Sequence, residues 1–398
     1  MGWTEHLIFN VVFIVLAVAG LLLQAFQYGH ARELGRMVLA STRKHLLVLV
    51  TFSLFLSSLS MVGLFLLSEH SAHRNNGFIR SYPHSPASMI RGWKLPFNSY
   101  YLAGIAERDI FLGNVVAPSH LLKVTMDRKD FKSVELKIEG GGNLAFTAPR
   151  IEVHAPYFFI YDGNVPAIFR GLTSDWKGYP YWTGATKFLQ LQPVDDDTLL
   201  VCGLYQNQSN IGIIGKGGPA FPVMPQLLER QTPEVFDTDG MLLYSQAFGR
   251  LVYVYYYRNK YVVSDLDQTQ HYQGSTIDTI ANPVMEVAYD DAGRSRTLAQ
   301  PPVFVQLEAC TSGRYLFVKS NRLGRYESEE MLEQASIIDV YNLEEKTYEF
   351  SFYLYDYEGE RIKSFRVHGD NLVGLTETYL VLYKLQQSRF DFSPLSRE

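Results

Sequence analysis

Residues 241–255 read MLLYSQAFGRLVYVY: an apolar run from Met241 to Tyr244, a turn carrying Phe248-Gly249-Arg250, and a second apolar run from Leu251 to Tyr255. Short runs rich in Val and Tyr, bounded by a glycine turn, predict two antiparallel β-strands. The same pair recurs along the chain. Tyr100–Ile105 turns through Glu107-Arg108-Asp109 into Ile110–Asn114, Ile151–Val153 is followed by Tyr157–Tyr161, and Phe188–Leu191 by Leu199–Cys202. Two later copies join Val303–Leu307 to Tyr315–Val318 and Phe365–Val367 to Leu372–Leu375. The six copies follow one another at intervals of about 40 to 60 residues, close to the spacing of propeller blades.

A third strand follows most pairs, as at Leu121–Val124, Ile211–Ile214, Ile337–Val340 and Tyr379–Tyr383. A fourth is visible at Val134–Ile138 and Tyr348–Phe352. Antiparallel units repeated six times predict an all-β, six-bladed β-propeller over residues 97–398, because closing the ring removes the exposed edges of a linear array. The last copy has three clear strands, so the segment around Trp93–Phe97 or the C-terminal tail is expected to supply its missing edge strand. Seven blades follow instead if Leu144–Thr147 or Pro283–Ala288 belongs to a degenerate unit. A pair of β-sandwiches is the alternative architecture. The one short helical stripe falls at Ser328–Gln334.

Composition agrees with a strand-rich domain. Aromatic residues make up 14% of the chain, with 26 Tyr and 25 Phe, while charged residues make up 19%; aromatics suit pleated, packed surfaces. The formal charge of −5 and the absence of a basic run exclude a nucleic-acid footprint. Cys202 and Cys310 both lie in apolar runs, where a free thiol behaves as a small hydrophobe. A bridge between two cysteines so far apart has no framework signal behind it.

The N-terminus has a different character. Leu7–Phe26 and Leu46–Leu67 are nearly uncharged apolar runs of about 20 residues, the length of helix that crosses a bilayer. Arg32, Arg36, Arg43 and Lys44 lie between them against the single acid Glu33. That excess of basic residues places the loop in the cytoplasm and everything after residue 68 outside it. The expected division is a first transmembrane helix with its loop over 1–36, a second over 37–68, and a polar, Pro- and Ser-containing tether over 69–96. Met37 opens a complete signal-anchor pattern, so a start there leaves one crossing in place of two with the same orientation. Either start leaves the C-terminal domain outside the cytoplasm.

In a propeller, the turns between first and second strands share one face. The second-to-third turns and the blade links share the other, which more often binds ligands. The candidate ligand residues on that second face are Asn114, Tyr161, Asp162, Tyr205, Arg258, Lys319 and Arg322. With the stretch Trp176–Trp182, their mixture of Tyr, Trp, Asn and Arg resembles a binding surface, although turn chemistry alone also selects such residues. The charged insertion Asn321–Gln334 reads as a solvated loop.

No catalytic residue, metal ligand set or cofactor is assigned. The chain has no nucleophile elbow and no zinc helix. Gly215-Lys216-Gly217-Gly218 lacks phosphate-loop spacing, and Asp237-Thr238-Asp239-Gly240 lacks the later ligands of a calcium loop. His154 and His368 occupy equivalent turns in two copies, positions that a rim holds apart. Asn207-Gln208-Ser209 is a glycosylation acceptor pattern.

The segments Asn98–Gly104, Ile110–Asn114 and Pro118–Leu122 resemble the start of membrane-anchored, propeller-like proteins of Bacteroidota encoded beside DoxX/MauE-like redox-associated membrane proteins. The first apolar run departs from the single anchor expected of that family. The resemblance covers about 30 residues and implies a bacterial envelope protein, held in the inner membrane with its C-terminal domain in the periplasm; it brings no catalytic residues with it. Three functions are open: a binding or scaffold module for a protein or peptide partner, an enzyme whose site is assembled in the channel, and an accessory subunit of a membrane complex, in contact with another integral membrane protein.

Overall fold

A computed structural model describes residues 76–140, 146–205, 208–215, 224, 227–231, 235–283, 287–289, 296–298 and 302–392, together with residues 20, 48, 51–52, 55–59 and 61–62. The expected transmembrane runs therefore fall mostly outside the described residues. Among those residues, no helix is long and apolar enough to cross a membrane.

Strand β1 is Ala87–Lys94. Blade 1 comprises β2 (Tyr100–Ala106), β3 (Asp109–Asn114), β4 (His120–Thr125) and β5 (Phe131–Glu135). The short β6 (Lys137–Ile138) pairs in parallel with the outer strand of blade 2, which comprises β7 (Arg150–His154), β8 (Tyr157–Asp162), β9 (Val165–Leu172) and β10 (Lys177–Thr183). Blade 3 holds β11 (Gln190–Pro193), β12 (Thr198–Tyr205) and β13 (Gln208–Gly215). Blade 4 holds β14 (Gly240–Ser245), β15 (Arg250–Tyr255), β16 (Lys260–Ser264) and β17 (His271–Ser275).

A separate hairpin pairs β18 (Val287–Tyr289) with β19 (Arg296–Leu298). Blade 5 comprises β20 (Gln306–Ser312), β21 (Tyr315–Ser320), helix α1 (Glu329–Gln334), β22 (Ala335–Asn342) and β23 (Thr347–Tyr355). Blade 6 comprises β24 (Ser364–His368), β25 (Asn371–Leu375) and β26 (Tyr379–Leu385), with β1 as its outer strand. Six blades are present among the described residues. Neither segment expected of a seventh forms one there: 287–289 belongs to the isolated hairpin, and 146–147 lie in a loop.

The opening stretch explains why strands with both faces apolar suit this fold. On β15, Leu251, Tyr253 and Tyr255 join a cluster with Leu200, Cys202 and Ile211 of blade 3. Val252 and Val254, facing the other way, join one with Ala309, Leu316 and Val318 of blade 5. Because successive side chains point to opposite faces, each middle strand contributes to two cores. Further clusters lie between blades 5 and 6, 6 and 1, 1 and 2, and 2 and 3. One core thus separates every neighbouring pair, and the ring closes.

The innermost strands approach closely where side chains vanish. A Cβ on Gly104 of β2 would overlap the Val153 carbonyl oxygen of β7, at a point where β2 also shifts register against β3. Copy five differs from expectation: its first strand begins at Gln306, after Val303-Phe304, with a register shift between Gln306 and Glu308.

The propeller also begins earlier than expected. Within the stretch read as tether, β1 pairs along β26 from Ala87↔Leu385 to Lys94↔Tyr379, so the segment before blade 1, not the C-terminal tail, completes blade 6. Upstream, residues 78–86 lie against blade 5: Arg325 N–H donates to the Phe78 carbonyl (2.8 Å), and Ser351 N–H to that of Ser81 (2.8 Å). Arg80 fastens this strap. Its Nε and Nη2 donate to the two oxygens of Asp339 (2.6 and 3.1 Å), and its Nη1 to Glu327 Oε2 (2.7 Å). Tyr82 donates to Glu327 Oε1 (2.6 Å) and stacks on Tyr353. Serine and proline content conceals the strap in the sequence, because its partners lie some 250 residues away (259 for Arg80 and Asp339).

Two outcomes test this account. Arg80→Ala leaves Asp339 and Glu327 buried without their cation, and is expected to cost about 3–5 kcal/mol of stability, read as a fall in denaturation midpoint. Gly104→Ala drives a methyl into the Val153 carbonyl and is expected to cost about 1–3 kcal/mol; an unchanged melting temperature would refute the close approach.

Candidate functional site: the central funnel

Five blades contribute to the mouth of the channel. A cavity of about 1050 Å³ opens on the face of the first-to-second turns, lined by Glu107, His154, Gln246, Thr311 and His368, each from a different blade. It extends outward between blades 1 and 2 past Phe111 and Trp176, whose rings lie 5.7 Å apart. Below it a throat of about 140 Å³ is lined by Gly104, Glu152, Gln192, Tyr244, Cys310 and Arg366, among others.

Strand periodicity creates this lining. Positions two apart point the same way, so Glu152 and His154 of β7, and Arg366 and His368 of β24, form successive levels of one channel. Blade 1, between those two blades, contributes Gly104 at the throat. Within the throat Arg366 Nη2 reaches Glu152 Oε2 (3.3 Å). Arg366 keeps 31% of its side chain exposed and Glu152 12%, so channel water screens the pair and reduces its worth.

Burial dominates the electrostatics. It pushes the Glu152 carboxyl up to about 7, with Arg366 and Arg150 pulling it back. It does the same to Glu308, also up to about 7, against Arg366 and Lys319. Glu152 raises the pKa of the Arg366 guanidinium, burial opposes it, and Glu308 adds to the rise. At the mouth, burial lowers the His154 imidazole, Asp196 opposes that, and His368 adds to it. Burial lowers His368 as well, with Glu107 opposing. Both histidines line the mouth and the throat. Among the described residues, no group of three or more His, Cys, Asp or Glu is arranged to hold a metal ion.

The candidates chosen from the sequence lie elsewhere, and their described bonds are internal. Asn114 Oδ1 accepts from the N–H groups of Val116 (2.9 Å) and Ala117 (3.0 Å). Asp162 accepts from the N–H groups of Thr147 (2.6 Å), Ala148 (2.7 Å) and Asn164 (2.8 Å). Tyr161 is buried in the core between blades 2 and 3. Tyr205 ends β12 opposite Gln208.

Arg258 is 1% exposed and lies over the Tyr255 ring (3.8 Å). Its Nη2 donates to the Glu229 carbonyl. Lys319 donates to the Ile362 carbonyl. Arg322 pairs with Asp278 (2.6 Å) and reaches Asn76 Oδ1 (2.6 Å). Trp176, expected on the second face, lines the funnel on the opposite one. Both cysteines are free and buried, and burial pushes the Cys202 thiol up to about 12.

The fold and its funnel define a six-bladed β-propeller with a charged central channel. No protein-family model matches the chain, and no curated protein is detectably similar to it in sequence. Among solved structures, a DUF4221 family member from Bacteroides vulgatus is 11% identical, with 76% of this chain and 99% of that one covered and a TM-score of 0.44. BamB from Moraxella catarrhalis is 12% identical over 77% of this chain and 99% of that one, with a TM-score of 0.41. A chain of a nidogen–laminin complex is 8% identical over 64% and 79%, with a TM-score of 0.39. Likeness at this level transfers no function, and the fold rests on the strand pairing itself.

The raised acids Glu152 and Glu308 predict a pH dependence. An unfolded glutamate titrates near its ordinary value of about 4.3. Between roughly pH 4.5 and 7 the native state therefore holds protons that the unfolded chain has released, and stability falls as pH rises through that window. The lowered histidines act oppositely, losing stability as pH falls through about 6.5; comparison with Glu152→Gln isolates the acid. From pH 5 to pH 8 the variant is expected to gain on the parent protein by on the order of 1–3 kcal/mol, measured by denaturant titration. A parent protein that gains on the variant would contradict the buried-acid assignment.

Proposed function

We propose that the chain is a membrane-anchored, extracytoplasmic β-propeller that binds a protein or peptide partner in the bacterial cell envelope. The carrying observation is the funnel. At about 1050 Å³ it sits at the upper end of small-molecule pockets, roughly 300–1,000 Å³, and turns from several blades surround it, as suits an extended segment of a partner.

The anchoring half of the proposal draws on the two apolar runs and on the basic loop between them. The described residues of the second run are helical. Val48, Phe52, Phe55, Leu56, Leu59 and Val62 are exposed large hydrophobics, as a lipid-facing helix requires. A contact between this segment and another integral membrane protein is the accessory-subunit form of the same reading. The enzymatic reading has one observation in its favour: Glu152, raised to about 7, lines the throat with two histidines, His154 and His368, and perturbed acids cluster at functional sites.

A photo-crosslinking residue at Ala247, exposed at the funnel mouth, is expected to capture one discrete partner in intact cells. The same group at Val116, exposed on the opposite face, is expected to capture none. Identical adducts from both positions, or none from Ala247, would remove the funnel as the binding surface.

A further inference from the structure

The exposed apolar side chains of the ring gather on one face, the one that holds the second-to-third turns and the blade links, opposite the funnel mouth. In blade 1, Val115 and Val116 (82% exposed) follow the end of β3, and Phe97 lies in the link that leads into β2. In blade 3, Leu189 precedes β11 and Leu204 lies one residue from the end of β12. In blade 5, Tyr326 (77% exposed) stands in the loop between β21 and β22. On the funnel face, Leu172 at the end of β9 is the one large hydrophobic exposed among the described residues. Others, such as Met89 and Tyr179, lie along outer strands. A hydrophobic residue exposed singly needs no explanation, but a concentration of them at one end of a ring marks a contact surface.

The chain joins the ring on that same face. Arg322 of the β21–β22 loop reaches Asn76 Oδ1 (2.6 Å), and Arg325 N–H of that loop donates to the Phe78 carbonyl (2.8 Å). Ile79, the next residue, is exposed as well. The apolar run read as the second membrane helix ends at Leu67, so residues 68–75 alone separate it from Asn76. A linker of that length reaches about 30 Å at most when fully extended. So short a tether keeps the effective concentration of lipid at this face high, and a weak contact then suffices. Exposed charges beside the apolar residues are mixed: Lys94, Lys187 and Arg325 against Glu329, Glu330 and Glu333 of α1. Apolar insertion, more than attraction to anionic lipid, therefore drives the contact.

We propose that this face rests on the lipid surface, with Val115, Val116, Leu189 and Leu204 inserted and the Phe97 and Tyr326 rings at the headgroup level, where aromatic side chains concentrate. The funnel mouth then opens away from the membrane. This rests on the reading of the chain as membrane-anchored and adds which of its surfaces meets the bilayer.

The test uses the full chain incorporated into nanodiscs of phosphatidylcholine and phosphatidylglycerol. A fluorophore is attached to single cysteines introduced as Val116→Cys, Leu189→Cys or Ala247→Cys; the native Cys202 and Cys310 are buried. Lipid carrying a spin label near its headgroup is expected to quench the first two labels at least about twofold more than the third, with little change between low and high salt, as apolar insertion requires. Adding Val115→Glu and Tyr326→Glu together, both at exposed loop positions, is expected to bring quenching at Leu189→Cys down towards the level at Ala247→Cys. Equal quenching at all three positions, or quenching confined to Ala247→Cys, overturns the inference. Labels at Val116→Cys and Leu189→Cys that are shielded from the spin-labelled lipid and from aqueous iodide alike also overturn it, since a protein then covers the face. A chain that does not enter nanodiscs overturns the anchoring reading and this inference with it. A chain that enters them without the difference between faces overturns this inference alone.

Discussion

The antiparallel pairing of β1 with β26 is the contact on which the rest of this structure depends. No blade owns a hydrophobic core. Each sheet buries one face against the blade before it and the other against the blade after it, and the six clusters between neighbours account for the apolar runs of every middle strand. An open array of such sheets would leave two apolar faces and a strand edge in water. Joining the segment before blade 1 to the last blade removes all three exposures at once. It also couples the first strand to residues nearly 300 positions away.

The closure explains the strap that precedes β1. A single outer strand held by backbone bonds alone would fray at the edge of its sheet. Here it is held at both sides. Trp93 Nε1 donates to the Arg128 carbonyl of blade 1 (2.9 Å). Arg80, buried with Asp339 and Glu327, ties the upstream segment to blade 5. Such a buried charged network is weak as a source of net stability but strict about geometry, because every member must be satisfied. Ser351 Oγ donates to Asp339 Oδ1 (2.5 Å), completing the shell around that carboxylate.

Much of this was legible in the sequence, and the limits have physical causes. Both faces of each middle strand are buried, so runs such as Leu251–Tyr255 and Phe158–Tyr161 stand out without periodicity analysis, and short turns separate them. The six pairs and the need for an extra edge strand follow from that. The register of copy five was not legible, since Val303-Phe304 is as apolar as the strand that actually begins at Gln306. Nor was the strap, whose polar residues find partners only in the folded ring. The throat was hidden for the same reason: Glu152 and Arg366 are 214 positions apart, and each alone reads as an ordinary strand residue.

The face chosen from the sequence shows what loop composition does and does not report. Asn114 and Asp162 look like ligand residues because turns need side chains that satisfy stranded backbone N–H groups, and that need is met internally. Lys319 and Arg322 likewise spend their donors on a carbonyl and a carboxylate of the same chain. Arg366 differs in kind. It is held in an enclosed channel, makes one described bond of the several its guanidinium offers, and faces two acids whose protons are loosely held near neutrality. A side chain fixed in place with capacity to spare, inside a cavity built by several blades, is a stronger mark of function than a polar loop.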